Sequence, residues 1–267
     1  MNKRIVCTSY FHTEGKSHNL GKHLDKDAVY SRCCAVFFDS VKKYHDFDLL
    51  LFTNKEINDE KGILLKLGVK QIILTDCRYV TDTSVSNSFP GCLYKLDVID
   101  YLAGQDFSSV YFFDNDCFFQ NDIYPIVEVV EQGFFSSIKM NYETDLDING
   151  YNIKWMSDIT GIPVDSFVYL GGEFIAFDKE NCVRLSKAIS IIWNYLMLTR
   201  FKKIYVDEHI VSMAANLIGK FYFKDMFIKR HWTSDVFSNT DGTEPLYSVL
   251  HLPAEKDKFF NDKYNLL

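Results

Sequence analysis

Two aspartates directly follow an apolar, strand-like run of the chain. Residues 110–113 read Val-Tyr-Phe-Phe, Asp114-Asn115-Asp116 comes next, and Cys-Phe-Phe follows at 117–119. Because residues i and i+2 of an extended chain point to the same side, Asp114 and Asp116 are placed to hold one divalent cation together. Carboxylate oxygens suit Mg2+ or Mn2+, and such an ion bridges a diphosphate and offsets charge on a departing phosphate. The motif therefore predicts a site for a metal ion or a nucleotide.

The Asp-x-Asp spacing alone is weak evidence, because it occurs three more times in the chain. The other copies are Asp25 with Asp27, Asp46 with Asp48, and Asp145 with Asp147. Only the copy at 114–116 lies between two runs of large apolar residues, where carboxylates are costly unless they are solvated or neutralised. That context favours a metal site there, with a solvated turn after a buried strand as the alternative.

The elements around this motif alternate between β-like runs and helix-length amphipathic segments. Strands are predicted at 4–10, 47–53, 70–75 and 109–113, and helices from Asp25 or Asp27 to Tyr44, at 56–67 and at about 92–102. Such alternation is typical of a mostly parallel sheet that helices cover.

The second half of the chain is less regular. Apolar stretches at 134–138 and 167–177 flank a polar excursion at 141–165, helices are predicted at 179–199 and 207–219, and a polar loop at 233–245 follows. We therefore predict a single α/β domain over residues 1–267, with its active face where the strands end.

Composition excludes several classes of function. Acidic residues outnumber basic ones by 36 to 29, and the resulting formal charge of −7 argues against a nucleic-acid binder. The longest strongly apolar helical segment, 188–198, is too short for a membrane span, and the N-terminus does not read as a signal peptide. The seven cysteines include no Cys-x-x-Cys pair and predict reduced, mostly buried thiols. A cytoplasmic protein is expected.

Motifs between residues 94 and 256 resemble those of a known enzyme family in their order and spacing. They are Tyr-Lys-Leu at 94–96, Asp-Asn-Asp at 114–116, Gly-Gly-Glu at 171–173, Asp-Glu-His at 207–209 and His-Leu-Pro-Ala-Glu-Lys at 251–256. The chain is similar to nucleotide-sugar glycosyltransferases of the GT-A fold, and most similar to glycosyltransferase family 8. The resemblance implies a Rossmann-like sheet, a nucleotide-binding half at about 1–120 and an acceptor and donor-sugar half at about 121–267.

The resemblance also implies which residues bind the metal and the diphosphate of the donor. Asp114, Asp116 and His251 would bind Mn2+ or Mg2+, and Asn115 belongs to the same donor-binding motif. Lys256, with Lys258 as a substitute, would contact the diphosphate and stabilise the leaving nucleotide. The usual glycine of this last motif is missing, and Pro253 and Glu255 occupy its loop.

Further roles follow from the same resemblance. Lys95 would reach the donor sugar and phosphates, while Thr8 would hydrogen-bond a uracil base and Tyr10 would stack on it. Each of these residues also has an ordinary structural interpretation, as an exposed helical lysine or as the end of a first strand in an α/β sheet.

Glu173, Asp207 and Glu208 are the remaining candidates for the chemistry. Gly171 and Gly172 would let a sugar approach the backbone, with Glu173 at the donor hydroxyls or the reacting face. Asp207 and Glu208 match an acidic pair that recognises the donor sugar. The competing interpretations are a β-bulge at the glycines and a favourable helix dipole at the acidic pair.

Together these features predict a metal-dependent hexosyltransferase. It would move a hexose from a UDP-sugar to a hydroxyl of a glycan or glycolipid, with retention of configuration. The first alternative is an inverting enzyme with Asp207 or Glu208 as the base. A haloacid-dehalogenase-like phosphatase, suggested by Phe-Asp-Asn-Asp at 113–116, and a non-catalytic protein that binds nucleotide sugars are the others.

The C-terminal stretch 256–267 mixes lysines with aromatic residues. Phe259, Phe260 and Tyr264 predict either peripheral attachment to a membrane surface, where a lipid-linked acceptor lies, or packing of this tail onto the domain.

Overall fold

The computed structural model describes residues 3–13, 25–81, 90–140, 153–199, 206–234 and 238–267. The helices are α1 (Lys26–Lys42), α2 (Ile63–Lys66), α3 (Arg78–Thr81), α4 (Tyr94–Ala103), α5 (Tyr124–Glu131), α6 (Ile153–Thr160), α7 (Lys179–Leu198), α8 (Asp207–Ile218) and α9 (Phe259–Leu266). The strands are β1 (Arg4–Tyr10), β2 (Asp48–Thr53), β3 (Lys70–Ile73), β4 (Ser109–Phe113), β5 (Cys117–Phe119), β6 (Phe135–Lys139), β7 (Leu170–Asp178), β8 (Phe221–Tyr222), β9 (Ile228–Arg230) and β10 (Val249–His251).

Seven strands form a mostly parallel sheet in the order β3-β2-β1-β4-β7-β6-β8, and β5, β10 and β9 form a small second sheet in the order β5-β10-β9. In the large sheet β1, β2 and β3 pair in parallel, whereas β6 runs antiparallel to β7. The predicted mixed α/β architecture with a mostly parallel sheet is confirmed.

The chain forms two compact units that alternate along the sequence. Unit 1 comprises Met1–Thr75, Tyr111–Glu128 and Lys224–Leu267, and unit 2 comprises Asp76–Val110 and Val129–Phe223. Both units are discontinuous in sequence, and the C-terminal 44 residues belong to unit 1. The single functional domain with two contiguous halves stays a prediction.

Helix α1 forms where its pattern predicts. Asp25 caps the helix, since its side chain accepts hydrogen bonds from the backbone N–H groups of Asp27 and Ala28 at 3.0 and 3.3 Å. The side chains of Val29, Cys33 and other apolar residues of this helix are buried in unit 1.

The helix predicted at 56–67 is wrong over most of its length, because α2 begins only at Ile63. The Asp59 carboxylate accepts hydrogen bonds from the backbone N–H groups of Ile63 and Leu64 at 2.8 and 2.9 Å. Gly62, directly before the helix, has a left-handed backbone with a φ of 65°. The Asp59 side chain and this turn therefore fix the start of the helix, whereas its predicted end before Gly68 is correct.

The C-terminal helix α9 packs into unit 1. Phe260 and Tyr264 are buried, and the Tyr264 hydroxyl donates to the Asp59 carboxylate at 2.8 Å. Packing of this tail onto the protein is therefore confirmed, with two of its three aromatic side chains buried, and peripheral attachment to a membrane stays a prediction. Within the part of the chain that the structure describes, every helix is too short or too polar to span a membrane.

Two further expectations concern the irregular regions. Residues 141–152 of the predicted polar excursion lie outside the described residues, and α6 occupies most of its remainder. Six of the seven cysteines are buried, as predicted.

Candidate active site

Strand β4 brings Asp114 to the edge of the core of unit 1. All five residues of β4 are buried, and the chain then turns, with the backbone N–H of Cys117 donating to the carbonyl oxygen of Asp114 at 3.1 Å. Asp116 lies in this turn and is almost completely buried, whereas the Asp114 side chain is 36% exposed. The two carboxylates of the motif thus differ sharply in their access to water.

Strand β10 places His251 beside this turn. It pairs antiparallel with β5, so that His251 lies opposite Cys117. The backbone N–H of Leu252 donates to the carbonyl oxygen of Asp116 at 2.9 Å, which ties the two segments together. The histidine that the sequence predicts as a ligand therefore reaches the aspartates through sheet pairing.

Asp114, Asp116 and His251 together form the group that we call the cation site. The Nε2 atom of His251 lies 3.3 Å from Oδ1 of Asp116 and 3.8 Å from Oδ2 of Asp114, and the ligand atoms of all three lie within 4.8 Å of one another. Ligands about 2.1 Å from an octahedral ion are about 3.0 Å apart when adjacent and about 4.2 Å when opposite. The donor set fits Mn2+ or Mg2+ after a contraction of at most about 0.8 Å.

Lys256 lies against Asp116. Its ammonium donates to Oδ2 of Asp116 and, at 3.3 Å, to the carbonyl oxygen of Pro253. Burial raises the pKa of the Asp116 carboxyl, but the charges of Lys256 and His251 outweigh burial and hold this pKa well below its usual range. Burial lowers the pKa of Lys256, and the neighbouring Asp116 carboxylate more than reverses this. The predicted contact of Lys256 with a donor diphosphate stays a prediction.

Asn115 and Thr8 lie near the same edge of unit 1. The side-chain amide of Asn115 donates to the carbonyl oxygen of Ser9 at 3.0 Å and fixes the motif to the end of β1. Thr8 is fully buried, and its hydroxyl has no hydrogen-bond partner among the described residues. Their predicted contacts with the nucleotide are untested.

Tyr10 is occupied by neighbours within the protein. Its ring stacks on Tyr30 with the centroids 4.8 Å apart, and its hydroxyl donates to Asp27 at 2.5 Å. Burial and the Asp27 carboxylate raise the pKa of Tyr10. One face of the ring is therefore covered, so stacking on uracil, as predicted, would use the other face or require Tyr10 to move.

In unit 2, Lys95, Asp207 and Glu208 surround Gly172, and we call these three side chains the Gly172 clamp. Lys95 in α4 donates to Asp207 at 2.8 Å and to the carbonyl oxygen of Gly172. The Lys95 and Asp207 side chains are only 6% and 10% exposed. A buried lysine and a buried aspartate therefore fix the carbonyl side of this glycine.

Glu208 fixes the other side of Gly172. Its Oε1 atom accepts the backbone N–H of Gly172 at 3.1 Å, and its Oε2 atom accepts the hydroxyl of Tyr169 at 3.0 Å. A Cβ atom on Gly172 would lie 2.7 Å from Cγ of Glu208, closer than side chains tolerate. Gly172 therefore has to be glycine. Glu173, the next residue of β7, is buried, with 1% of its surface exposed.

The sequence did not identify Tyr30 and Tyr169 as parts of these groups. The ring of Tyr30 lies under both Tyr10 and, 6.0 Å away, the Lys256 ammonium, and Tyr169 orients Glu208. Nothing in the linear sequence distinguishes them from the other tyrosines. The contact of β1 with α1, and the contact of the residue before β7 with α8, give them these roles.

Comparison with known proteins relates the chain to glycosyltransferases through its fold. No family model and no curated protein matches the sequence. Among solved structures, the crystal structure of an active-site mutant of LgtC, a glycosyltransferase, aligns over 93% of this chain and 86% of its own, with a TM-score of 0.58 and 12% sequence identity. The chain therefore has the GT-A fold that its motifs suggested.

Proposed function

We propose that this GT-A chain is a metal-dependent glycosyltransferase that moves a hexose from a UDP-sugar to a hydroxyl of a glycan or glycolipid. The observation that carries the proposal is the cation site, in which two carboxylates and an imidazole from distant segments meet at one edge of unit 1. Bound there, Mn2+ or Mg2+ would offset negative charge on a departing diphosphate.

The residues of the chain have separate roles in this proposal. Asp114 is the most accessible ligand of the cation site and offers its carboxylate to an ion at the surface. Asp116 and His251 are buried and provide fixed ligand atoms that need little rearrangement. Asn115 holds the motif in register with β1, where nucleotides bind in α/β sheets.

The Gly172 clamp has a positioning role in unit 2. Because Lys95 binds the carbonyl oxygen of Gly172, and Glu208 binds its N–H and fills the space beside its Cα, they fix this buried part of β7 directly before Glu173. Glu173 follows directly on the same strand and is the proposed contact with the sugar, which its buried side chain would reach only after a rearrangement of this region.

Two contacts favour retention of configuration over inversion. An inverting enzyme needs a carboxylate base that can accept a proton from the acceptor. Asp207 is paired with Lys95, and both oxygens of Glu208 accept hydrogen bonds within unit 2. Either residue would have to give up these contacts to act as the base. The GT-A fold, in turn, gives no support to the phosphatase alternative.

Ligand-linked thermal stabilisation tests the proposal directly. We expect UDP and a UDP-hexose to raise the melting temperature only when Mn2+ is present, because ligands that bind only the native state stabilise it. Asp116→Ala should abolish this shift and the transfer or hydrolysis of the donor.

The matched control is Asp46→Ala, which changes an aspartate of another Asp-x-Asp copy in unit 1. The side chain of Asp46 is 96% exposed and pairs only with a surface lysine in the described structure, so this variant should bind and react like the wild type. An intact shift in Asp116→Ala, or phosphate release from an aryl phosphate without nucleotide, would contradict the proposal. UDP binding without turnover across a panel of donors would favour the non-catalytic alternative.

A further inference from the structure

The two carboxylate oxygens of Asp116 have different partners. Oδ1 faces the imidazole of His251 at 3.3 Å, on the side of the cation site. Oδ2 accepts a hydrogen bond from the ammonium of Lys256. With only 5% of the Asp116 side chain and 6% of the Lys256 side chain exposed, water does little to screen this pair. One oxygen of Asp116 thus lies against the Lys256 ammonium, and the other faces the cation site.

The backbone fixes Lys256 in this position independently of its charge. The loop that leads to it is tied to Asp116 through the N–H of Leu252. The carbonyl oxygen of Lys256 accepts a weak hydrogen bond from the Cys33 thiol of α1 at 3.7 Å. The Tyr30 ring lies 6.0 Å from the ammonium. These contacts hold the lysine in one position inside the protein, whereas a lysine on the surface would sample many positions.

The charges of this region determine how strongly it attracts a cation. Asp114 and Asp116 each contribute one negative charge, and Lys256 contributes one positive charge at the Asp116 carboxylate. A divalent ion therefore meets a single net negative charge when His251 is neutral. Placing a doubly charged ion near a buried ammonium is repulsive, and burial strengthens that repulsion.

We propose that Lys256 is the internal counter-cation of Asp116: it neutralises this carboxylate in the metal-free protein and keeps the affinity for a divalent cation low until a donor diphosphate supplies further negative charge. The second half of this statement rests on the proposed function, whereas the effect of the lysine on cation affinity does not require a donor. Lys256 is thus a positioning residue that acts through Asp116. It makes cation binding depend on the donor.

The test is a titration with Mn2+ alone. Binding is measured by calorimetry and by the loss of the electron paramagnetic resonance signal of free Mn2+. Lys256→Met removes the charge, and we expect the dissociation constant for Mn2+ to fall by about tenfold or more. Lys66→Met is the matched control, because it removes an exposed lysine of unit 1 that has no role in the proposed site. It should leave the dissociation constant within about twofold of the wild-type value, since exposed charges are screened. Lys256→Arg keeps the charge and should behave like the wild type.

Removal of the lysine also leaves Asp116 without its cation, so Lys256→Met will unfold at a lower temperature in the absence of metal. Mn2+ should then raise the melting temperature of Lys256→Met more than that of the wild type. If Lys256→Met fails to fold, Lys256→Gln serves instead, because its amide can still donate a hydrogen bond to Asp116 while the charge is lost. The same tightening of Mn2+ binding is expected for Lys256→Gln.

An unchanged or weaker affinity for Mn2+ in both charge-removing variants would overturn the proposal. The proposal would also be overturned if these variants bound Mn2+ alone as the wild type does but bound UDP more weakly at saturating Mn2+. That result would mean that Lys256 serves only the diphosphate. The two proposals can also fail separately. If Lys256→Met and Lys256→Gln bind Mn2+ more tightly than the wild type, but the wild type transfers no sugar, the counter-cation is supported and the proposed function is refuted. Absence of Mn2+ binding in wild type and variants alike would refute both.

Discussion

Substitution of Gly172 by alanine is the sharpest structural test of the Gly172 clamp. The new Cβ atom would lie 2.7 Å from Cγ of Glu208 and 3.1 Å from Oδ2 of Asp207, so Glu208 has to move. Overpacking of this kind costs about 1–3 kcal/mol. Displacing Glu208 also weakens its hydrogen bonds to the Gly172 N–H and the Tyr169 hydroxyl, at about 1–2 kcal/mol in total. We expect the free energy of unfolding to fall by about 2–5 kcal/mol, measured by urea denaturation.

Two further variants show whether the clash is the cause. Gly104→Ala, in the same unit, adds a Cβ at an ordinary 3.5 Å contact and should change the free energy of unfolding by less than about 1 kcal/mol. Glu208→Ala removes the atom that clashes, so Gly172→Ala should cost at least about 1 kcal/mol less in that background. Additive effects of the two substitutions, or a Gly172→Ala protein as stable as Gly104→Ala, would refute the reasoning.

Two other predictions concern the stability of each unit. Burial raises the pKa of Asp97 to about 6, so the folded protein binds more protons than the unfolded chain between about pH 4 and 6, and this group lowers stability as the pH rises through that range. Asp97→Asn can still accept the N–H of Tyr79 and should gain up to about 3 kcal/mol of stability over the wild type at pH 7.5, but only about 0.5 kcal/mol at pH 4. Equal differences in urea unfolding at both pH values would contradict this. Phe260→Ala should destabilise unit 1 by about 3–5 kcal/mol because Phe260 is fully buried. Unchanged stability together with weaker liposome binding would contradict this and support membrane attachment of the tail.

Much of the fold could be predicted because local patterns determine it. The strand at Arg4–Tyr10 and the helix at Asp207–Ile218 follow from unbroken apolar runs and helical spacing, and both form within a residue of their predicted bounds. The turn after β4 was also predictable, since two carboxylates between apolar runs have to lie where a strand ends. His251 joins them as the family resemblance implied.

The remaining features depend on contacts that are distant in sequence. The start of α2 is fixed by Asp59, a residue that helical periodicity does not distinguish from its neighbours. The partner of Lys256 depends on a loop that meets Asp116 across 140 residues, and no spacing rule predicts such a pairing. The position of Tyr10 likewise depends on Tyr30, which packs against it from another element.

The long separation between Asp116 and Lys256 also has a consequence for synthesis of the protein on the ribosome. Asp116 leaves the exit tunnel well before the segment that neutralises it, so the growing polypeptide carries this carboxylate in water while later residues are still being added. Burying it without its lysine would be unfavourable. Unit 1 can therefore reach its final packing only after translation has passed residue 256, and a polypeptide released earlier would be a poor substrate for folding and a ready one for proteases.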